Sequence, residues 1–323
     1  MEKLKYLSLF SGIGAFEMAL KNIGVDYELM GFSEIDKYAI KSYCAIHNVN
    51  EKLNLGDITK INIEELPKNI DIITHGSPCQ SFSIAGLQHG GDKGSDTRSS
   101  LMWNTVEIVK HCKPKYVIWE NVKNVLSKKH IHNFNEYLDE LKQLGYENYY
   151  KVLNAKDYGI PQNRERVFVV SVLDGVGFEF PNSIKLEKTL GDVLDKYVDE
   201  KYYINYNKTI PQWDFSKDII GRLNIGSYDL NNRVYGLDSC GFTLRAKKSD
   251  QKILTIDRKL RYLTPTECFR LMGVSEVYIN KIQEIGISNN QQYKLAGNSI
   301  VVNVLEKIFE NLFLEIDKNQ TPS

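Results

Sequence analysis

Two patterns of apolar and polar positions alternate through the first half of the chain. Short apolar runs at residues 4–10, 27–32 and 116–119 are typical of buried strands. Residues 37–47 and 133–144 instead carry apolar positions at helical spacing. Strands that alternate with helices in this way indicate an α/β fold, with a mostly parallel sheet and helices on both faces.

This alternation stops near residue 174. From about residue 174 to 257 the chain contains scattered short strand-like segments and turns with Asn and Gly. Helical signals resume with the capping pattern Thr-Pro-x-Glu at residues 264–267. We therefore predict a first domain over residues 1–173, completed by residues 295–323, and a smaller, irregular β-rich domain over residues 174–294.

Composition narrows the possible classes of protein. The chain has 323 residues, 42% of them hydrophobic, so it can bury a full core. Its 41 basic and 41 acidic residues cancel, so any nucleic-acid site must be a local patch. Five cysteines without a Cys-x-x-Cys pair indicate free thiols in a reducing compartment and no metal site. No apolar stretch approaches the ~20 residues that span a bilayer, so we expect a cytoplasmic protein without a membrane partner.

A glycine turn and two carboxylates suggest a nucleoside site. Gly12 and Gly14 lie between the first strand and the first helix, where backbone can approach a ligand closely. Glu34 and Asp57 follow strand-like runs, from which carboxylates reach ribose and adenine in such sheets. Glu17 occupies the position of the third glycine of a dinucleotide fingerprint and disfavours pyrophosphate there. S-adenosylmethionine fits these features, although a structural turn and solvated carboxylates are the alternatives.

A second group of side chains suggests covalent chemistry at the same sheet edge. Cys79 follows Pro78 on a loop after a strand, Glu120 ends the next strand, and Arg164 and Arg166 precede another. A thiol, a carboxyl group and guanidinium groups together suit nucleophilic attack on a ring that needs activation. The alternative for the cysteine is a buried, small apolar residue.

These motifs resemble those of the DNA cytosine-5 methyltransferases of bacteria and their phages. Only residues 175–257 lie outside the resemblance. It implies an S-adenosylmethionine-dependent, Rossmann-like methyltransferase sheet and a second domain that recognises the target, with its variable part at about 175–257. Six motifs occur in the family's order: Phe-x-Gly-x-Gly at 10–14, Pro-Cys-Gln at 78–80, Glu-Asn-Val at 120–122, Gln-x-Arg-x-Arg at 162–166, Leu-Thr-Pro-x-Glu at 263–267 and Gly-Asn-Ser at 297–299.

The resemblance also implies a mechanism. Cytosine is flipped out of duplex DNA, and the Cys79 thiolate attacks C6 while Glu120 assists at N3 and the amino group. The methyl group of S-adenosylmethionine is then transferred to C5. Arg166 is expected to contact the cytosine O2, and Arg164 to support the loop or contact a phosphate.

Contacts with cofactor and DNA follow from the same resemblance. Ile35 stands where many members have a bulky aromatic residue, so it would cover the adenine by apolar contact alone. The implied cofactor contacts are Phe10, Gly12, Gly14, Glu34, Ile35, Asp57, Ile58, Pro78 and Asn298. The implied DNA contacts are Gln80, Ser83 and Arg98 around a glycine-rich loop, then Thr243, Arg245, Lys247 and Lys248 in the second domain.

The DNA contacts in the second domain lie in a basic segment. Residues 240–262 hold seven basic and two acidic side chains, a surplus of five. Such a run favours phosphate contact in an otherwise neutral protein, although a solvated face is the alternative. Within it, Arg245 is a candidate for reading guanine, because a guanidinium can bridge O6 and N7.

Double-stranded DNA is therefore the expected partner of a monomeric enzyme. A restriction endonuclease acting on the same site, without direct contact, is a further possibility, as is an orphan enzyme. The tRNA-methylating branch is one alternative, but Gly241 interrupts its Cys-Phe-Thr signature. An inactive DNA-binding regulator is another, against which the intact Cys79, Glu120 and Arg166 argue.

Overall fold

The computed structural model describes residues 3–78, 98–175, 177–206, 212–226, 228–247 and 252–314. These residues form two compact units, which are described separately. The first unit lies within Met1–Leu153, Glu165–Asn182 and Leu305–Ser323. The second lies within Asn154–Arg164 and Ser183–Val304.

Strands and helices alternate in the first half, as the apolar pattern predicts. The strands are β1 Leu4–Leu9, β2 Tyr27–Ser33, β3 Ile72–His75, β4 Tyr116–Val122, β5 Tyr146–Asn154, β6 Gln162–Asn163, β7 Glu165–Leu173, β8 Ile219–Arg222, β9 Arg233–Tyr235, β10 Gly241–Phe242, β11 Lys252–Leu254 and β12 Leu260–Tyr262. The α-helices are α1 Ala15–Asn22, α2 Lys37–His47, α3 Met102–Cys112, α4 Ile131–Gln143, α5 Asp229–Asn232, α6 Pro265–Arg270, α7 Glu276–Glu284, α8 Asn289–Asn298 and α9 Val302–Phe309.

A six-stranded sheet forms the centre of the first unit, in the order β2-β1-β3-β4-β7-β5. The strands β2, β1, β3 and β4 are parallel, whereas β7 runs antiparallel to β4. Leu7 and Leu9 pack with α3 and α4 in one apolar cluster. Aromatic residues of α2 and of the turn after α9 contact other strands, since Tyr43 stacks on Phe32 and Phe313 packs edge-on against Tyr116. The predicted α/β fold is thereby confirmed.

A buried carboxyl group connects α1 with α2. Glu17 is fully buried and its Oε1 accepts a hydrogen bond from the Tyr43 hydroxyl at 2.7 Å. Burial raises the pKa of Glu17 above its ordinary value, because the charged form is desolvated. The carboxyl group therefore belongs to the core. The expectation that Glu17 disfavours pyrophosphate at the glycine turn stays a prediction.

The second unit contains a four-stranded sheet in the order β12-β11-β9-β8 and a pair formed by β6 and β10. The predicted capping box is confirmed, because Thr264 Oγ1 accepts from the Glu267 amide and Glu267 accepts from the Thr264 amide. Glu267 is fully buried and also forms an ion pair with buried Arg261 at 2.7 Å. This motif therefore organises the interior of the second unit.

The division between the units differs from the predicted domain bounds. Residues 154–164 and 295–304 fall in the second unit, although both were expected to belong to the first domain. Gln162 explains the first difference, because its side chain donates to Leu271 O at 2.6 Å and accepts from the Leu244 amide at 2.9 Å. Such long-range hydrogen bonds leave no trace in local periodicity. The assignment of the second unit to target recognition stays a prediction.

Replacing Glu17 by Gln tests the buried carboxyl group. Below the unfolded pKa of about 4.3, Glu17 is protonated in both states. As pH rises above that value, the unfolded chain loses the proton while the folded chain retains it, so the wild type loses stability. The free energy of unfolding of Glu17→Gln, relative to that of the wild type, should therefore increase with pH. The increase is at most about 1.4 kcal/mol per pH unit and ends when the pH passes the raised pKa of the folded state. Urea unfolding between pH 4 and 8 measures this difference.

The exposed residue Glu28, on the same sheet, provides the control. Glu28→Gln should change the free energy of unfolding by no more than about 0.5 kcal/mol, as exposed substitutions usually do. If the stability difference between Glu17→Gln and the wild type stays constant from pH 4 to 8, the raised pKa of the buried Glu17 carboxyl group is contradicted.

Candidate active site

The glycine turn after β1 has a backbone conformation that suits close approach of a ligand. Phe10, Gly12 and Gly14 all have positive φ, at 53°, 57° and 81°. A Cβ at Gly12 would meet no atom within 4 Å, so this side of the turn is open. Gly14 is the N-cap of α1. At Gly12 and Gly14, a residue with a side chain would be strained in this conformation.

Glu34 lies directly after β2 and organises this turn. Its Oε2 accepts from the Gly12 amide at 2.9 Å, and its Oε1 accepts from the amides of Ile35 and Asp36 at 2.8 Å. A carboxylate has about four acceptor positions, so these bonds leave capacity for a ligand hydroxyl group. The residue singled out for ribose therefore also holds the glycine turn in place.

The neighbouring residues singled out for the cofactor differ in their placement. Ile35 is 73% exposed, so its apolar side chain is available to a ligand. Asp57 is half-buried and caps a short 3₁₀ turn, and hydrogen bonds from Thr59 lower its pKa. Ile58 is buried in the core, which leaves only its backbone for such a contact. Pro78 is half-buried where the described segment ends.

Glu120 and Arg166 meet at one end of the sheet. Glu120 lies in β4, and Arg166 lies in β7 opposite Val122. Arg166 Nε is 3.1 Å from Glu120 Oε1, with side-chain exposures of 18% and 12%. The structure thus brings together two of the four candidate catalytic residues, which also include Cys79 and Arg164.

The segment that precedes Cys79 is hydrogen-bonded to the strand that contains Glu120. Ser77 is buried, and its Oγ accepts from Trp119 Nε1 at 3.0 Å while its carbonyl accepts from Asn121 Nδ2 at 3.3 Å. Cys79 itself lies outside the described residues, as do Gln80 and Ser83. Arg98 begins a short 3₁₀ turn, but its side chain is not among those described.

Buried His75 at the end of β3 is not available as a base. Its ring stacks on Trp119 at 5.7 Å, and Nε2 lies 2.9 Å from the Tyr137 hydroxyl. Burial lowers the pKa of His75 to about 3, so the imidazole is neutral near pH 7. The side chain therefore belongs to the aromatic core beneath the sheet edge.

Arg164 occupies the interior of the second unit. Its Nη1 donates to Leu244 O at 3.0 Å, and its Nη2 donates to Gly297 O and Ser299 O at 3.2 and 2.9 Å. This arrangement favours the loop-supporting role over contact with a phosphate. It joins three sequence motifs, at residues 162–166, 243–244 and 297–299, through their backbones.

The residues expected to contact DNA in the second unit surround this junction. Thr243 Oγ1 donates to Asn163 O at 2.7 Å, and Arg245 donates to Asn231 Oδ1 at 3.1 Å. Lys247 is exposed, while Lys248 lies outside the described residues. Asn298, expected to contact the cofactor, is exposed at the end of α8.

The basic segment is less basic at the surface than its composition indicates. Lys252 and Arg261 are buried, and Arg261 is paired with Glu267. Lys259 lies 3.0 Å from Asp257. The surplus of five positive charges therefore overstates the charge available to phosphates. In the ranges that the structure describes, no group of three or more His, Cys, Asp or Glu side chains could hold a metal ion.

Comparison with known families decides what this arrangement represents. Residues 4–314 match the model of the C-5 cytosine-specific DNA methylase family. The chain belongs to this family.

Curated members of the methylase family match nearly the whole chain. The type II methyltransferase M2.ScrFI of Lactococcus lactis subsp. cremoris is 35% identical and covers 96% of this chain and 99% of its own. The type II methyltransferase M.HhaI of Haemophilus parahaemolyticus is 34% identical, covering 96% and 94%. The orphan methyltransferase M.SPRI of Bacillus phage SPR is 33% identical, covering 97% and 98%.

Solved structures share the fold of this methylase. The methyltransferase EhMeth of Entamoeba histolytica has a TM-score of 0.78 at 20% identity, over 98% of this chain and 99% of its own. The Dnmt2 methyltransferase of S. pombe has a TM-score of 0.75 at 21% identity, over 97% and 99%. Among the described residues of the methylase, no helix is long and apolar enough to cross a membrane.

Sequence reasoning missed several residues that support the candidate site. Ser77 and Trp119 carry no recognisable chemical signal, because a serine and a tryptophan in apolar surroundings are typical of any core. Gly297 lies in the Gly-Asn-Ser motif, but the reason for a glycine at this position is steric. A Cβ there would overlap the backbone of Arg245 and Ala246.

Arg164→Lys tests the supporting role of this arginine. A lysine has one nitrogen and cannot reproduce the planar fork that reaches three carbonyl groups, so buried acceptors would lose their partners. We expect the free energy of unfolding to fall by about 3 kcal/mol, measured by urea denaturation. Arg222→Lys, at an exposed position, should cost no more than about 0.5 kcal/mol. Equal losses in both variants would contradict the supporting role.

Proposed function

We propose that this methylase transfers a methyl group from S-adenosylmethionine to C5 of cytosine in duplex DNA. The Glu120–Arg166 pair carries the proposal, because Glu120 lies on the strand that is hydrogen-bonded to Ser77, two residues before Cys79. Strands β1 to β4 are parallel, so their carboxyl ends share one edge. The glycine turn, Glu34 and Pro78 follow three of these strands. Cofactor and cytosine sites are thus expected side by side.

The residues of the first unit fit the proposed cofactor. The open face of Gly12 admits a close ligand, Glu34 can accept from ribose hydroxyl groups, and exposed Ile35 offers an apolar surface for the adenine. Asp57 can accept from the adenine amino group. When bound, S-adenosylmethionine supplies the methyl group to C5.

The proposed chemistry assigns a separate task to each side chain at the cytosine. Because C6 is hidden in a duplex, the base must first be flipped, at an unstacking cost of a few kcal/mol. The Cys79 thiolate forms a bond to C6, while Glu120 donates a proton to N3 and Arg166 holds O2. Electron density thereby moves to C5, which accepts the methyl group. A base from the solvent then takes the C5 proton, which expels the Cys79 thiolate from C6, and the N3 proton returns to Glu120.

Duplex DNA containing 5-fluorocytosine tests the covalent step. Fluorine cannot leave C5 as a cation, so the cysteine cannot be expelled after methyl transfer. The wild-type protein with S-adenosylmethionine should form an adduct that survives denaturing electrophoresis, and Cys79→Ala should form none. Cys268→Ala, which removes a buried cysteine of the second unit, is the control and should still form it. Trapping that survives Cys79→Ala would remove the cysteine from the mechanism.

We infer further that the second unit reads the bases around the cytosine. The segment between β8 and β9 supports this inference. Asn232 accepts from the amides of Ile225 and Gly226, which restrains these two residues. Asp229 pairs with Arg222 at 2.5 Å and with Arg233 at 2.6 Å, so one carboxylate orients two guanidinium groups. Either group could bridge O6 and N7 of guanine.

Arg245 lies beside the same segment. Its guanidinium donates to Asn231, in the segment between β8 and β9. Tyr228 in this segment is 73% exposed. Arg245 stays a candidate for guanine, and we add to it the two arginines held by Asp229.

Single variants Arg222→Ala and Arg233→Ala test this assignment. Each bidentate contact to guanine contributes about 1–3 kcal/mol of discrimination. Losing one should therefore spread methylation to related sites, roughly 5- to 150-fold more often than in the wild type. A methylcytosine map of a host genome measures the change, and Lys217→Ala at another exposed ion pair is the control. Unchanged site choice in both arginine variants would exclude these side chains as base readers.

One observation also bears on the tRNA-methylating alternative. Gly241, which interrupts the Cys-Phe-Thr signature, lies in β10, and a Cβ there would come within 3.1 Å of Pro161 O. A side chain there would therefore require the Pro161 backbone to shift by a few tenths of an ångström. We favour duplex DNA, and a direct assay of both nucleic acids decides between them. Turnover on either would exclude the inactive regulator.

A monomeric state and a restriction endonuclease of matching specificity stay predictions.

A further inference from the structure

We propose that His47 is a positioning residue that holds the glycine turn of the cofactor site from its inner side. This proposal rests on the proposed use of S-adenosylmethionine at that turn. His47 is the last residue of α2 and is 6% exposed. It was not among the residues that the sequence motifs indicated.

The imidazole contacts the turn at two neighbouring residues. Its Nε2 lies 3.0 Å from the carbonyl oxygen of Ile13. A Cβ on Gly14 would overlap the ring at Nε2, so the absence of that atom is what allows His47 to approach. Gly14 therefore serves two purposes, since its positive φ forms the turn and its missing side chain admits the imidazole.

The hydrogen-bond partners define the tautomer. The Ile13 carbonyl can only accept, so Nε2 must carry the hydrogen. In a neutral imidazole Nδ1 is then an acceptor, and Lys21 Nζ lies 3.4 Å from it. Both ring nitrogens face groups within the first unit. His47 is thus placed to hold the backbone and not to exchange protons with a substrate.

The turn needs such a contact because glycines do not stiffen a backbone. Gly12 and Gly14 have access to many conformations, and a ligand would have to order them on binding. Glu34 restrains the turn at the Gly12 amide, at 2.9 Å, and His47 restrains it at the Ile13 carbonyl. Two opposite groups of the same turn are therefore fixed before any ligand arrives.

Helix α2 connects these two restraints. Glu34 lies two residues before Asp36, which caps the helix, and His47 ends the helix. Tyr43 lies one turn before His47, with the two rings 4.6 Å apart, and bonds to Glu17 in α1. The helix thus joins the proposed ribose-binding acid to the support of the turn.

The experiment compares His47→Ala and His47→Gln with a matched histidine. His111 also approaches a backbone carbonyl, at 3.2 Å from Leu66 O, but it lies on α3. Binding of S-adenosylmethionine is measured by calorimetry, and kcat and KM are measured with duplex DNA. Thermal unfolding reports the general stability of each variant.

We expect His47→Ala to raise both Kd and KM for S-adenosylmethionine about 5- to 10-fold, the equivalent of one net hydrogen bond. The kcat at saturating cofactor should stay within about twofold of the wild-type value, because the lost free energy affects cofactor binding and not the chemical step. His47→Gln should recover most of the affinity, since its amide can donate to Ile13 O. His111→Ala should lower thermal stability without changing Kd.

Three results would overturn the proposal. They are an unchanged Kd in His47→Ala, a fall in kcat as large as the rise in KM, and an equal loss of affinity in His111→Ala. Failure of the proposed function looks different, because the wild-type protein itself would then neither bind S-adenosylmethionine nor methylate DNA.

Discussion

The parallel pairing of β2, β1, β3 and β4 is the constraint on which the candidate site of the first unit depends. Parallel strands must all end at the same edge of a sheet, so the segments that follow them are neighbours even when far apart in sequence. The glycine turn, Glu34 and the segment before Cys79 are brought together in this way. Antiparallel β7 then delivers Arg166 to Glu120 from the opposite direction.

Side-chain hydrogen bonds to backbone groups stabilise this edge from within. Glu34 holds Gly12, His47 approaches Ile13, and Trp119 donates to Ser77. In the second unit, Arg164 does the same for the backbones of three motifs. Loops that are supported in this manner are already ordered in the folded protein. Binding of a ligand to their outer faces therefore does not carry the entropy cost of ordering them.

The charge of a side chain was the least reliable predictor of whether it lies at the surface or in the core. Glu17, Arg164 and Arg261 would each be placed at the surface by residue type alone, yet all three are buried and hydrogen-bonded. A buried ion or acid is tolerated only where partners compensate its desolvation. Those partners come from distant parts of the chain, so local sequence does not reveal them.

The sequence by itself determined the order of strands and helices in the first half, the family, and the motif residues from Phe10 to Asn298. These follow from short-range periodicity and from residue types that chemistry demands at fixed spacing. Only the tertiary structure decided that Arg164 supports a loop, that Ile58 packs in the core, and that Gly14 lies against His47. The physical reason is that each of these facts is a contact between segments far apart along the chain, whose partners are chosen by packing and hydrogen bonding in three dimensions.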